Sequence, residues 1–174
     1  MSGGSLVVTA SVAPRSARPG RLPARARREG CLHQNSSSKP IRRPNRSSTL
    51  EDRLYEFNSG VTGITDGEGL AICVRDDGER IIAGTCGHTW GGHCEIRQFW
   101  VEESRRGRGL GTKLLGAAEH EARRRGCRQI FLATFSFQAP AFYMKRGFET
   151  LAVMDDYPRG HRNLLLRKRL VEAG

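Results

Sequence analysis

The chain lacks the marks of several protein classes. It has five cysteines among 174 residues, an odd number, and no Cys-x-x-Cys pair. That argues against a disulfide framework and against a four-cysteine zinc site. Reduced thiols in a cytosolic compartment are the simpler reading. No apolar run approaches the ~18 residues that a membrane-spanning helix needs, which excludes a membrane protein of that kind. No G-x-x-x-x-G-K-[ST] loop is present, which removes the P-loop nucleotide hydrolases. Acidic residues are nearly missing from the first 48 positions, where ten Lys and Arg stand against Glu29 alone, a net of +9. Residues 49–174 hold 19 basic and 17 acidic residues, a net of +2, so most of the overall charge of +11 is a property of the tail.

Proline divides the chain in the same way, with five of the seven before Ser48. Residues 1–48 repeat at neither a helical nor a strand period and cannot bury enough apolar surface to offset ordering entropy. They read as a disordered, basic, Arg/Pro/Ser-rich tail. Its composition fits a dispensable leader, an organelle transit peptide or a basic arm for nucleic acid, and the leader is the plainest of the three. Residues 49–174 are then one domain, a usual domain length.

Periodicity organises that domain. Thr49 with Asp52 looks like a capping box, and Leu50, Leu54, Phe57 and Val61 follow at helical spacing. Leu70–Arg75 reads as a strand, Asp77-Gly78 as a hairpin turn and Arg80–Trp90 as the return strand. Gly91-Gly92 makes a second hairpin turn into a strand over His93–Val101. A helix follows, with Leu110, Leu114, Leu115, Ala118 and Ala122 on one face and Arg123, Arg124 and Arg125 in its last turn, where the dipole favours cations. Gly126 suits its C-terminal stop. Gln129–Thr134 reads as a strand parallel to the one before the helix. A short helix over Ala139–Arg146 and strands over Phe148–Val153 and Asn163–Leu170 complete the chain. The fold class is α/β, antiparallel at first with one β-α-β crossover.

The segment with most chemistry in it is Arg106-Gly107-Arg108-Gly109-Leu110-Gly111, set between a strand and a helix. Glycines there let the backbone turn and let an anion approach the amides. Free N–H groups and the helix dipole favour phosphate. The residues alone describe a pyrophosphate-sized anion site, or a Gly-rich turn with solvated arginines. The G-x-G-x-G spacing does not fit the dinucleotide fingerprint G-x-G-x-x-G.

Arg106-x-x-Gly109-x-Gly111 resembles the Q/R-x-x-G-x-G/A motif of the GNAT family of N-acetyltransferases, whose loop holds the pyrophosphate of acetyl-coenzyme A. Ser136–Phe148 resembles the family's later motif N-x-x-A-x-x-x-Y-x-x-x-G-F through Ala139, Tyr143, Gly147 and Phe148, with Ser136 where the family often has Asn. The resemblance covers about residues 50–170. It implies a mixed, mostly antiparallel sheet with a splayed central parallel pair and flanking helices. It implies acetyl-CoA as co-substrate, held by Arg106, Gly107, Arg108, Gly109, Leu110, Gly111 and Ser136, and by the strand residues Phe99, Trp100 and Val101. The family's first strand has no good counterpart in Lys39–Ser48, where Pro and Arg dominate.

The resemblance also suggests catalytic roles. Glu95 lies eleven positions before Arg106, where several members carry a general-base Glu. A base is needed because an amine is mostly ammonium at neutral pH and only the free amine attacks. A surface Glu on a half-exposed strand is the plainer alternative. Tyr143 matches the proposed general acid for the thiolate leaving group, against a packing role. If Gly91-Gly92 is a two-residue turn, His88 falls opposite Glu95 and helps set its basicity, or is an ordinary cross-strand neighbour.

Cys86, His88, His93 and Cys94 do not make a metal site, because His93 and Cys94 are consecutive on a strand and face opposite ways. No metal is expected. The partner is an amine acceptor, either a small molecule or a protein amino group; a homodimer is compatible with this reading, and a membrane is not. Two rival functions are a non-catalytic acyl-CoA sensor and a nucleic-acid-binding protein acting through the tail.

Overall fold

A computed structural model describes residues 46–170. Most of the tail therefore lies outside the described residues. These residues fall into two units, 46–63 and 64–170. The first is the helix α1 (Arg46–Thr62). It is already running at Arg46, so Thr49 is an interior residue and not the expected N-cap. Its apolar positions Leu50, Leu54, Phe57 and Val61 are all exposed.

The second unit runs β1 (Glu68–Arg75), β2 (Ile81–Trp90), β3 (His93–Val101), α2 (Leu110–Arg124), β4 (Gln129–Phe135), α3 (Pro140–Met144), β5 (Glu149–Asp155) and β6 (Arg162–Arg169). The six strands form one sheet in the order β1-β2-β3-β4-β6-β5. Only β3 and β4 are parallel, joined by the α2 crossover. This is the expected fold class.

Alternation decides which side is core. In β1, Leu70, Ile72 and Val74 are buried while the residues between them are not. α2 lays Leu114, Leu115, Ala118 and Ala122 into the same cluster, with Cys94 and Ile96 from β3 and Ile130 and Leu132 from β4. Arg125, at the end of α2, is drawn inward. It pairs with Glu121 at 2.8 Å and donates to the Gly69 carbonyl at 3.0 Å, fixing the helix end to β1.

The Gly91-Gly92 turn has both residues at positive φ, 59° and 78°, as a two-residue hairpin of right-handed strands demands. The first hairpin differs from expectation. Its loop spans residues 76–80, with Glu79 rather than Gly78 in the left-handed region. The Asp76 carboxylate accepts from the Gly78 and Arg80 N–H groups, both at 3.0 Å, and organises a longer loop than Asp77-Gly78 alone would give. The second helix of this unit is also shorter than Ala139–Arg146, starting on Pro140 and ending at Met144.

Candidate active site

The gap between β3 and β4 is the central feature of the sheet. Their pairing runs only from His93–Gln129 to Ile96–Leu132, yet β3 continues to Val101 and β4 to Phe135. Beyond Leu132, each strand follows its other neighbour, β3 with β2 and β4 with β6. A bulge lies at the point of parting. Cys86 faces Gln98 and Gly87 faces Ile96, so Arg97 is the extra residue on β3. An extra residue on one strand bends it and increases its twist, which turns β3 away from β4.

The parted edge of β3 presents backbone groups. The Glu102 N–H donates to the Ile82 carbonyl at 2.9 Å. By antiparallel alternation, Val101–Ala83 and Phe99–Thr85 are then the wide, non-hydrogen-bonded pairs. The amides and carbonyls of Phe99 and Val101 therefore turn toward the gap. Those of Trp100 are spent on Gly84, so its amide does not serve the gap as the sequence suggested. The Val101 carbonyl already accepts from Arg106 Nε at 3.1 Å.

This gap opens into a cavity of about 790 Å³ lined by Phe99, Trp100, Val101, Arg106, Gly107, Gly109, Leu110, Gly111 and Tyr143 among others. α2 points its N-terminus into it. The helix has Gly109 as N-cap at φ 78°, no side-chain cap and no acidic residue in its first turn. Its first N–H groups thus have no carboxylate or hydroxyl partner, a state that favours a bound anion. A β-carbon at Gly107 or Gly109 would meet nothing within 4 Å, so the backbone lies open to a ligand. Arg108 is exposed and does not line the cavity. Neither does Ser136, whose hydroxyl accepts from the Arg162 N–H at 3.1 Å and ties β4 to β6.

Tyr143 is 7% exposed and packs edge-on against Phe99, Phe142 and Phe148. Burial pushes its phenol up to about 12. His88 and Glu95 form a rung of the β2–β3 ladder, with His88 Nδ1 3.2 Å from Glu95 Oε2. Arg97 Nε stands 3.2 Å from the same oxygen. Neither Glu95 nor His88 lines the cavity. They sit on the sheet face opposite the buried Cys94 and Ile96, at the level where β3 and β4 begin to part.

Several cavity residues were not foreseen. Arg146 donates to the Phe142 carbonyl and to Thr112 Oγ1, and lies 3.8 Å over the Phe142 ring. It brings a cation to the first turn of α2. Thr134, Phe137 and Gln138 line the cavity from the end of β4. The unmatched Arg at the end of the Tyr143 motif and the Phe next to Ser136 were the available signals. Among the described residues, no three His, Cys, Asp or Glu side chains converge as metal ligands, and no helix is long and apolar enough to cross a membrane.

The chain matches the acetyltransferase (GNAT) family over residues 33–148. It belongs to that family. The match begins ahead of the tail boundary drawn at Ser48. An acetyltransferase of Agrobacterium fabrum is 32% identical over 120 residues, covering 69% of this chain and 88% of its own. Blasticidin-S acetyltransferase of Streptomyces morookaense is 38% identical over 96 residues, covering 53% of this chain and 71% of its own. The crystal structure of an acetyltransferase from Bacillus cereus superposes with a TM-score of 0.64 at 33% identity, over 76% of this chain and 98% of that one. The chain is thus an acetyl-CoA-dependent acetyltransferase.

Proposed function

We propose that this acetyltransferase moves the acetyl group of acetyl-CoA to a primary amine by direct attack in a ternary complex. The observation that carries the reading is the continuity of the β3–β4 gap with the uncapped N-terminus of α2. One end offers strand amides to an extended chain, and the other offers helix amides to a diphosphate. The open glycines and the missing first-turn acid fit such a ligand. The thioester of acetyl-CoA supplies the activated acetyl group.

The chain's own residues divide the work. The first-turn amides of α2, with Arg106 nearby, hold the diphosphate. The Phe99 and Val101 backbone groups align the arm and polarise the carbonyl at the gap. Glu95 takes the proton that the ammonium must lose before attack, and His88 and Arg97 orient its carboxylate. Tyr143 donates a hydrogen bond to the departing sulfur. A phenol near 12 does not readily release its proton to a thiolate of pKa about 8.5, so Tyr143 acts as a polarising donor more than as a full acid. Direct attack fits the cysteines: among the described residues, none of Cys73, Cys86, Cys94 and Cys127 lines the cavity. Cys94 and Cys127 are buried, and burial raises both thiols, Cys94 to about 12, which disfavours an acyl-carrying thiolate there.

The acceptor is proposed to be a small-molecule amine, in line with the relative named for blasticidin S, in a cytoplasmic setting. A screen of amines followed by free coenzyme A release tests the function. Turnover with at least one amine is the expected result. Tight acetyl-CoA binding without transfer to any amine would make the chain a coenzyme A sensor instead.

A further inference from the structure

An aromatic cluster stands at the far end of the gap, and none of the roles above uses it. Phe135 ends β4 and stacks on Phe137, with ring centroids 5.3 Å apart and planes 3° from parallel. Tyr157 leans on Phe135 at 5.7 Å, and His161 meets Phe137 edge-on at 4.9 Å. Four rings from two segments thus converge on one place. Burial of a core does not account for them, since Phe137 and Tyr157 are each 55% exposed. Phe137 also lines the cavity, so the cluster is continuous with the site.

The loop that brings Tyr157 and His161 there is held in shape. The Ser136 N–H donates to the Arg162 carbonyl at 2.8 Å, and the Arg162 N–H returns to Ser136 Oγ at 3.1 Å. Asp156 accepts from the Gly160 N–H at 2.6 Å, and the Tyr157 N–H donates to the His161 carbonyl at 3.0 Å. Ser136 thus positions an aromatic wall from the place where the family motif suggested a coenzyme contact. The wall stands at a fixed distance from the chemistry. Two strand residues, Ala133 and Thr134, separate Leu132, where β3 and β4 part, from Phe135, and the three rises span about 10 Å.

Charge selects among acceptors. Residues 155–162 carry Asp155 and Asp156 against Arg159 and Arg162, a net of zero with His neutral. The loop has no excess of carboxylates to gather a polycation. What it offers is ring faces and edges, which favour another flat ring in offset or edge-on contact.

We infer that Phe135, Phe137, Tyr157 and His161 form the acceptor-specificity site, and that the acceptor is a primary amine carrying an aromatic or heteroaromatic ring on a short chain. This rests on the acetyltransfer reading above. The ring lies on the cluster while the chain carries the amine into the gap, toward the point where β3 and β4 part, on the Glu95 side.

The test uses the full chain and matched primary amines: 2-phenylethylamine and tryptamine against hexylamine and 1,6-diaminohexane, with coenzyme A release as readout. The aryl amines are expected to exceed the alkyl amines at least tenfold in kcat/KM, through KM. Tyr157→Leu, at an exposed position outside the cavity, should raise the aryl KM about tenfold. It should leave the alkyl-amine KM and the acetyl-CoA KM in place, and Tyr157→Phe should restore the aryl KM. Phe137→Leu serves as a second variant, and ligand-observed NMR of 2-phenylethylamine on the coenzyme A complex gives a readout independent of turnover. Equal use of alkyl and aryl amines overturns the inference and leaves the acetyltransferase intact. So does a Tyr157→Leu effect confined to acetyl-CoA, which would assign the rings to the coenzyme. No transfer to any amine, with acetyl-CoA bound, overturns the proposed function and this inference with it.

Discussion

A β-carbon at Gly87 would lie 1.8 Å from the carbonyl oxygen of Glu95. The two residues meet beside the bulge at Arg97, where β2 approaches β3 more closely than any side chain allows. A glycine inside a strand often marks such an approach. Here it lets the strand carrying Glu95 bend away from β4, so a residue on β2 sets the opening of the gap.

Gly87→Ala should therefore act on both stability and catalysis. The backbone of β3 must shift, since the obstructing atom is a carbonyl and not a flexible side chain. Overpacking of this kind costs about 1–3 kcal/mol, to be read from urea melts. In the folded fraction, kcat should fall more than the acetyl-CoA affinity, because the bulge lies at the reacting end and the helix amides are remote from it. A variant as stable and active as the wild type would show that the close approach relaxes freely.

Gly109 separates charge from backbone strain. Its φ of 78° is left-handed, and Asp and Asn tolerate that region better than other side chains. Open space surrounds its missing β-carbon. Gly109→Asn should keep most of the acetyl-CoA affinity. Gly109→Asp places a negative charge at the uncapped end of α2 and should weaken binding by about tenfold to a hundredfold, ~1.5–3 kcal/mol. Calorimetry with acetyl-CoA decides. Equal affinity for the two variants would remove the diphosphate from this helix end.

The His88–Glu95 rung carries a third expectation. His88→Ala takes away the ring nitrogen that lies 3.2 Å from the carboxylate. Loss of that partner removes one of the two side chains that hold the carboxylate in place and should lower kcat, with the acetyl-CoA affinity unchanged. Glu95→Gln should lower kcat by about 10²-fold or more, the usual scale for a lost general base. If kcat is unchanged in His88→Ala, the histidine is a neighbour without a role in the chemistry.

The rung itself was legible because Gly91-Gly92 fixes a register: two consecutive residues at positive φ leave Trp90 opposite His93, and the pairing follows by counting. The bulge was harder to see. Cys94 and Ile96 keep a period of two, but the next residues on the core side are Phe99 and Val101, a step of three that marks the extra residue. The loop after β1 was misjudged because an Asp side chain, not a glycine, organises it. α1 starts earlier than its capping signal because Thr49 does not end the helical run. The aromatic cluster was out of reach of periodicity, since Tyr157 and His161, on the loop between β5 and β6, reach Phe135 and Phe137 only because β6 lies beside β4.

Tyr143 gives the last prediction, and its burial fixes the sign. The folded-state phenol is raised to about 12 from an ordinary value of 10.0. The native state then holds this proton more tightly than the unfolded chain. The stability linked to it is complete below pH 10 and is lost as pH rises toward 12. Throughout the working range the ring stays neutral, so it contributes no basic limb to the rate profile below pH ~11. Tyr143→Phe keeps the edge-on packing against Phe99, Phe142 and Phe148 and removes only the hydroxyl. It should lower kcat about 10–100-fold, at and just below the low end of the range for a positioned proton donor, with acetyl-CoA affinity held within about threefold. The basic limb should be the same in both proteins, because the group that sets it is not the one removed. If Tyr143→Phe retains full kcat, the hydroxyl does not face the leaving sulfur, and the residue serves only to pack the wall of the cavity.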